Sequence, residues 1–294
     1  MISARRGTLA ALALLLLAGC ASVPTLPPPQ PPLVGPQRII DGADFKLSGT
    51  ILQGGLAFGT VPPGTVTLLY DGTPIPFAED GRFLIAFDRD APARAVLDAR
   101  TVDDVVLRRT LAIAPRGWHI ESLPTLPKGT TPTPEYLARR KAELDQIAAA
   151  RAVASASVGW RQRFIWPVTG RISGVFGSQR IYAGEPGAYH SGVDVARPEG
   201  TEIVAPADGV VILAAATPFS LEGNLLMIDH GMGLNSAFLH LSRIDVAAGQ
   251  VVKQGEKLGA IGMTGRATGP HLHWSIKWRE ARIDPEPVAG AMAP

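Results

Sequence analysis

Histidine and aspartate recur at short spacings in the C-terminal half of the chain. His190 stands four residues before Asp194, and His271 stands two residues before His273. His240 lies between these two pairs, so four of the six histidines belong to this set of spaced residues. Imidazole and carboxylate groups are ligands of Zn²⁺, and three protein ligands with an open fourth position are typical of a catalytic zinc. The pattern therefore indicates the chemistry of a metal-dependent hydrolase.

The segment from His271 to Trp278 has the alternation of a β-strand. Alternate side chains of a strand share a face, so His271, His273 and Ser275 lie on one face. The residues between them are all apolar and would pack into the core. This alternation predicts that both histidines point toward a common site.

Asp194 lies in a second predicted strand, with Val193 and Val195 on the opposite face. A carboxylate in an apolar strand needs a polar partner or a metal ion. Throughout residues 160–294 short apolar runs are separated by glycines, which predicts a mainly β domain of many short strands. The two strand segments and His240 would have to meet within this domain.

Residues 38–123 also have the pattern of β-strands. Apolar residues alternate near 66–70 and 83–87, further strands are predicted at Val96 and at 105–113, and Asp71-Gly72 is a typical hairpin turn. These features predict a small β-sandwich. The region contains no catalytic constellation, and His119 beside Trp118 is interpreted as a structural residue near the domain edge.

Residues 124–159 form a predicted connector that is rich in proline at its start and helical afterwards. Thr133 is a suitable N-cap with Pro134 at the first helical position, and Gly159 is a plausible end. The apolar face of this helix is predicted to consist of Leu137, Leu144, Ile147 and Ala148. A helix of this kind either packs against a domain or covers the active-site groove, and packing is the commoner role.

The start of the chain has the features of a secretory signal. Arg5 and Arg6 precede a short apolar run, which ends at Leu17-Ala18-Gly19-Cys20. This ending resembles the lipoprotein box of bacteria, in which the cysteine is lipidated, so residues 1–20 are predicted to be a lipoprotein signal peptide and Cys20 the anchor. Residues 21–37 are rich in proline and predict an extended tether. The resemblance implies a protein anchored in the outer membrane and facing the periplasm.

The charge and cysteine content exclude several classes. There are 28 lysines and arginines against 26 aspartates and glutamates, and the basic residues are scattered, which gives no indication of nucleic-acid binding. Cys20 is the single cysteine, so the chain cannot form an internal disulfide.

Three motifs in this order resemble those of the lysostaphin/LytM-type zinc metallopeptidases. They are His190-Ser191-Gly192-Val193-Asp194, Leu239-His240-Leu241-Ser242 and Gly269-Pro270-His271-Leu272-His273-Trp274, and the likeness extends over about residues 164–285. The resemblance implies an antiparallel β metallopeptidase domain.

The resemblance also implies roles for the five residues. It makes His190, Asp194 and His273 the ligands of Zn²⁺, and His240 and His271 the two catalytic histidines. One departure is Phe238, where relatives often have tyrosine, and we expect it to change a hydroxyl contact near the site. Members of this family cut peptide bonds of bacterial peptidoglycan. A D-Ala–diaminopimelate crosslink is the expected substrate, with cell-wall amidases or division proteins as possible partners.

Two other functions are weighed against this one. A non-catalytic activator of cell-wall amidases has the same fold but typically lacks ligand positions, and here all five residues are present. A biotinyl- or lipoyl-carrier module would share the hairpins near 204–211 and 249–262, but it needs a lysine at an exposed hairpin tip that this sequence does not place there.

Overall fold

The computed structural model describes residues 38–126 and 132–292, and these ranges are mainly β as predicted. The signal segment, Cys20 and the 21–37 tether lie outside the described residues. Among the residues that are described, neither helix has the length and hydrophobicity that a membrane crossing requires. Residues 37–294 cluster into one compact unit.

Residues 38–126, the first described range, contain nine strands: β1 (Arg38–Asp41), β2 (Ser48–Gly49), β3 (Leu56–Thr60), β4 (Thr65–Tyr70), β5 (Thr73–Ile75), β6 (Arg82–Ala86), β7 (Arg94–Thr101), β8 (Val105–Ala112) and β9 (Ile120–Leu123). A five-stranded sheet has the order β1-β8-β7-β4-β5, and a three-stranded sheet has the order β2-β3-β6. Buried aromatic and aliphatic residues of β6 and β7 fill the core of this region. The predicted hairpin is confirmed, because β4 and β5 are joined by Asp71 and Gly72, both with positive φ (47° and 75°).

The rest of the described chain contains two α-helices, thirteen strands and one short 3-10 turn at Gly159–Arg161. They are α1 (Pro134–Arg151), β10 (Arg171–Gly174), β11 (Gln179–Tyr182), β12 (Glu185–Pro186), β13 (Val193–Ala196), β14 (Glu202–Val204), β15 (Gly209–Ala214), β16 (Asn224–Asp229), β17 (Leu234–Leu241), β18 (Arg243–Ile244), β19 (Val251–Val252), β20 (Lys257–Ala260), β21 (His271–Trp278), β22 (Ala281–Ile283) and α2 (Pro285–Ala289).

The largest sheet carries most of the candidate site residues on its strands. Its strands follow the order β10-β13-β21-β17-β16-β15-β19, and β22 adds to β21. Every one of these neighbouring pairs is antiparallel. The strand that carries His271 and His273 therefore lies between the strand of Asp194 and the strand that leads to His240.

The predicted connector helix is present, with Thr133 as its N-cap and Pro134 as its first residue. Its predicted end is wrong, and of its predicted apolar face only Ile147 is buried. The helix ends at Arg151, and Gly159 belongs to the 3-10 turn. Leu137 and Leu144 are about half exposed, at 54% and 48%.

The buried face of α1 consists instead of Glu143, Ile147 and Ala150. Glu143 is buried because its carboxylate accepts hydrogen bonds from Ser220 and from Arg139 and Arg140. Ile147 and Ala150 pack against an apolar cluster on the large sheet: Phe219, Leu225, Met227 and Ala237. The helix is thus a packing element, as predicted, and it rests on the sheet that carries the site.

The two regions are joined by strand pairing and by polar contacts. Strand β9 pairs in parallel with β11, so the β11–β12 hairpin and β9 form a separate three-stranded sheet. Arg116 forms an ion pair of 2.8 Å with Asp284. The domain boundaries expected near 123 and 160 remain predictions, and the contacts across them are extensive.

Candidate metal centre and active site

Asp194 and His273 are brought together by strand register. Strands β13 and β21 are antiparallel, and these two residues lie directly opposite each other. Directly opposite residues of an antiparallel pair share a face and lie close together. His273 Nδ1 is accordingly 2.9 Å from Asp194 Oδ1.

His190 reaches the same point from the segment that precedes β13. Its backbone is held by two hydrogen bonds, from the His190 N–H to the Ser178 carbonyl and from the Gly177 N–H to the His190 carbonyl. Its Nε2 lies 3.0 Å from Asp194 Oδ1 and 3.0 Å from His273 Nδ1. Its Nδ1 donates a hydrogen bond of 3.1 Å to the Val175 carbonyl, which leaves Nε2 as the atom that faces the other two.

These three atoms fit a zinc ion. Ligand atoms at 2.0–2.1 Å from a tetrahedral ion are roughly 3.3 Å apart, and here the separations are 2.9–3.0 Å. Three lone-pair atoms approach this closely only with a proton or a cation between them. The hydrogen bond from His190 Nδ1 to a backbone carbonyl is the usual second contact of a metal-bound histidine.

Electrostatics at the cluster also favour a cation. Burial tends to raise the pKa of Asp194, but the hydrogen bonds and charges of His190 and His273 outweigh burial and lower that pKa below its usual value. Burial lowers the pKa of His273. A neutral buried imidazole beside an ionised carboxylate is the protonation state that metal ligation needs.

His240 reaches the site through an unusual backbone conformation. Leu239, not His240, lies opposite His273 in the register of β17 and β21, so regular alternation would direct His240 to the other face. A register shift interrupts the pairing of β16 and β17 in this region, and His240 has φ of 66°. This left-handed conformation turns the ring toward the site, where its centroid lies 4.8 Å from that of His271.

Backbone carbonyls orient both of these histidines in the same way. His240 Nδ1 donates to the Thr264 carbonyl at 2.8 Å, and His271 Nδ1 donates to the Gly269 carbonyl at 2.8 Å. Each ring therefore directs Nε2 away from its carbonyl partner, and that of His271 is 3.8 Å from Asp194 Oδ1. Burial lowers the pKa of His240 to about 4, so its imidazole is neutral at neutral pH.

Two glycines make room for the metal-ligand candidates. A Cβ on Gly174 would lie 2.3 Å from Asp194 Oδ2, and one on Gly192 would lie 2.8 Å from His273 Nε2 and 2.4 Å from the Trp274 carbonyl. Neither position tolerates a side chain without moving a ligand. The sequence marks these glycines only as breaks between strands.

Arg89 connects the N-terminal region to the segment that leads to His190. This buried side chain donates to the Gly177 carbonyl at 2.9 Å and to the Gln179 side chain at 3.1 Å. Its guanidinium also lies 4.8 Å from the centre of the Tyr189 ring. Arg89 was not recognised from the sequence, because nothing in residues 38–123 shows that this region touches the site.

Two cavities adjoin the cluster. One of about 500 Å³ is lined by His190 and Asp194 together with the β11–β12 hairpin, and the exposed His119 lies at its edge. The other, of about 160 Å³, is lined by His273 and by residues of α1. A substrate groove can therefore extend to either side of the cluster, with α1 forming part of one wall.

Two further residues lie away from the site. Phe238 is fully buried opposite Trp274 on the core face. Its side chain therefore does not face the site, and the expectation that it changes a hydroxyl contact there is wrong. His230 is also fully buried; its Nδ1 donates to the Asp208 carbonyl and its Nε2 accepts from Ser236, each at 2.9 Å.

The five site residues predicted from the sequence are thus gathered at one place. Among the described residues, the metal-binding side chains that lie close enough together to hold an ion are those of His190, Asp194 and His273. His240 and His271 lie beside them. The carbonyls of Val175, Thr264 and Gly269, which orient the rings, carry no signal in the sequence because every residue has a carbonyl.

A family model and a solved structure that match this chain point to the same family. Residues 188–285 match the family model described as peptidase family M23. A crystal structure from Pseudomonas aeruginosa that is assigned to peptidase M23 is 31% identical, with a TM-score of 0.64 over 83% of this chain and 96% of that one.

Curated relatives match over the C-terminal region. Peptidoglycan DD-endopeptidase ShyA of Vibrio cholerae is 41% identical over 107 residues, which are 36% of this chain and 24% of the relative. DD-carboxypeptidase/endopeptidase Mpg of Neisseria meningitidis is 41% identical over 118 residues, which are 40% and 26% of the two chains. Cell division protein DipM of Caulobacter vibrioides is 33% identical over 133 residues, 45% and 21% of the two chains. The matched segments thus span about a quarter of these relatives.

Proposed function

The chain belongs to peptidase family M23, and on this premise we propose that it is a zinc-dependent endopeptidase that hydrolyses peptide crosslinks of bacterial peptidoglycan. One observation carries the proposal: a complete donor set of two imidazoles and a carboxylate lies beside two further imidazoles, each held at Nδ1 by a backbone carbonyl. This is the combination of metal ligands and acid–base groups that hydrolysis of a peptide bond requires.

The metal would be held by His190 Nε2, Asp194 Oδ1 and His273 Nδ1, which face one another at 2.9–3.0 Å. Two neutral imidazoles and one carboxylate leave a zinc site with a net charge near +1. Bound zinc would supply a Lewis acid that polarises the scissile carbonyl and acidifies the attacking water.

The chain itself supplies the proton transfers. His240 is neutral because burial lowers its pKa, so its Nε2 can accept the proton of the attacking water. His271 has the same hydrogen-bonded orientation and lies beside it. One of the two imidazoles would take the proton, and the other would stabilise the oxyanion or protonate the leaving amine. The sequence contains no glutamate of the HExxH kind, so histidine would perform the acid–base work.

The substrate proposal is supported by the curated relatives. ShyA and Mpg are named as endopeptidases, and ShyA as one that acts on peptidoglycan. Within this class we propose the D-Ala–diaminopimelate crosslink, because a Gram-negative envelope lacks the glycine bridges that lysostaphin cuts. A role in wall remodelling or division, with amidases or division proteins as partners, is consistent with the name of DipM.

We further propose that the enzyme is tethered at its place of action. The lipoprotein box at Cys20 and the proline-rich segment 21–37 would anchor it in the outer membrane and let it face the wall from the periplasm. Radiolabelled palmitate should be incorporated into the wild-type chain and not into Cys20→Ser. Equal labelling of both chains would contradict the anchor.

A set of variants tests the catalytic proposal. The purified protein should contain about one zinc per chain and release muropeptides from sacculi, and mass spectrometry of the fragments identifies the bond that is cut. Asp194→Ala should lose both metal and activity, whereas His271→Ala should keep the metal and lose activity, because only the former removes a donor atom. Lys141→Ala, on the exposed side of α1, is the control and should match wild type.

Two results would contradict the assignment. If the wild-type protein binds zinc but releases nothing from sacculi, the non-catalytic activator becomes the better interpretation, and stimulation of an amidase would then be measured. If His271→Ala digests sacculi at the wild-type rate, this histidine is not part of the catalytic machinery.

A further inference from the structure

A cationic cavity lies beside the candidate metal centre. Its volume is about 160 Å³, and its lining includes His273 from β21, Arg151 from the end of α1, and Lys277 and Arg282 near the end of the sheet. A single water needs only about 10–15 Å³ of such space. The cavity, called the arginine pocket below, can therefore hold a chemical group much larger than one water.

The charges around the arginine pocket are unevenly compensated. Arg140, which also lines it, is neutralised by Glu222 at 2.6 Å and by Glu143 at 3.1 Å. Lys277 pairs with the exposed Glu280 at 2.8 Å. Within residues 38–126 and 132–292, neither Arg151 nor Arg282 has a carboxylate at ion-pair distance. Two guanidinium groups without a contacting carboxylate thus line the same cavity, and Glu280 and Glu222 act on Arg151 only from beyond ion-pair distance.

Arg151 carries the clearest sign of a missing partner. Its side chain is half-buried, and its Nε is a fully buried nitrogen that finds no hydrogen-bond acceptor in the described part of the chain. Burial and, next, the positive charge of Arg282 lower the pKa of this guanidinium. A buried donor without an acceptor has a free-energy cost, which is larger if the donor is charged.

The position of Arg151 in the helix does not remove this cost. Arg151 is the last residue of α1, where the helix dipole favours a positive charge. That effect stabilises the charge but gives Nε no acceptor. Arg282 lies against Tyr189, whose ring centre is 5.4 Å from its guanidinium carbon. Both arginines are thus positioned by the fold, and in the described part of the chain neither has an anion in direct contact.

We propose that the arginine pocket is a carboxylate subsite, in which Arg151 and Arg282 bind a free carboxylate of the peptide substrate and so position the scissile bond next to His273. This inference rests on the proposed peptidase function and specifies which substrates that site prefers. Guanidinium groups bind carboxylates with paired, charge-assisted hydrogen bonds. Crosslinked wall peptides with free carboxyl groups provide this chemistry, and their amidated forms do not.

The test compares two matched substrates. They are one crosslinked peptide with free carboxyl groups and the same peptide with those groups amidated, both assayed with the zinc-loaded full chain. Wild type should cleave the free-acid form with a kcat/KM about tenfold higher, which corresponds to one charge-assisted hydrogen bond. Arg151→Gln should lose about tenfold on the free-acid form, keep its rate on the amidated form and so lose the preference.

Control variants separate binding from folding. Arg151→Lys retains the charge and should recover part of the preference, and Lys141→Gln on the same helix should leave it unchanged. If Arg151→Gln does not fold, as judged from its thermal transition, Arg282→Gln provides the same comparison. A general structural role of either arginine would lower the rates on both substrates equally.

The outcomes distinguish this inference from the proposed function. If wild type cleaves both peptides at the same rate, the carboxylate subsite is wrong and the peptidase stands. If Arg151→Gln and Arg282→Gln both keep the wild-type preference, the subsite is likewise wrong. If wild type cleaves neither peptide and does not act on sacculi, the peptidase function fails, and the subsite fails with it.

Discussion

The left-handed backbone at His240 leads to a prediction in which two inactive variants differ in stability. His240→Ala and His240→Gly both remove the ring and its 2.8 Å hydrogen bond to Thr264. The alanine variant still carries a Cβ at φ of 66°, and a left-handed conformation costs an L-residue about 1–2 kcal/mol. The glycine variant is free of that cost, but it loses about 0.5–1 kcal/mol through the greater freedom of the unfolded chain.

The difference between these terms makes His240→Gly more stable than His240→Ala by about 1 kcal/mol. For a chain of this size that free energy corresponds to a Tm about 2–4 °C higher. Urea and thermal unfolding of the two purified variants measure the difference. Both should fail to release muropeptides from sacculi, and both should retain zinc, because His240 is not among the proposed ligands.

Ala237→Gly is the matched control, because Ala237 lies three residues earlier on the same strand and has no positive φ. There the glycine should lower the free energy of unfolding, by about 0.5–1 kcal/mol from the backbone and more from the lost methyl group. Opposite signs at the two positions would establish that the site holds His240 in a strained conformation. If His240→Gly is equal to or less stable than His240→Ala, the reasoning from the backbone is refuted.

Three further predictions concern the surroundings of the site. Gly174→Ala should weaken zinc binding at least tenfold in a competition titration, since its Cβ would lie 2.3 Å from Asp194 Oδ2. The far-UV circular dichroism spectrum of this variant should stay native. Unchanged zinc affinity would show that the strand can shift. Arg89→Met should lower the free energy of unfolding by about 3 kcal/mol, because it removes two charge-assisted hydrogen bonds of a buried side chain. An unchanged urea midpoint would argue against this contact. Burial lowers the pKa of His230 to about 4, so between about pH 6.5 and 4 the unfolded chain binds a proton that the folded chain does not. Its contribution to stability is complete above pH 6.5 and falls by about 3 kcal/mol as the pH drops through that window; an NMR titration giving His230 a pKa near 6.5 would contradict this.

The strand pattern around the site could be predicted because alternation is a local property. His271 and His273 share a face of β21 with partly buried polar neighbours, while Leu272, Trp274 and Ile276 are fully buried. That arrangement follows from the two-residue period of a strand. The Asp71-Gly72 hairpin was equally local, because few residues other than glycine, asparagine and aspartate adopt its conformation.

The apolar face of α1 could not be predicted, because tertiary contacts outweigh hydrophobicity there. Glu143 is buried by hydrogen bonds to Ser220, which lies 77 residues away in the chain. Leu137 and Leu144, which the helical period placed on the core side, are largely exposed. A charged side chain can be buried only where hydrogen-bond partners surround it, and the sequence does not show which residues those partners are.

The sequence by itself determined the composition of the site: which side chains can bind a metal, and on which face of β21 two of them lie. Only the tertiary structure decided how His240 enters, because alternation would direct it away and a positive φ of 66° turns it back. The tertiary structure also decided that β13 and β21 pair with Asp194 opposite His273. Side-chain chemistry and strand period are local, whereas register, bulges and the carbonyls that orient imidazoles depend on contacts between segments far apart in the chain.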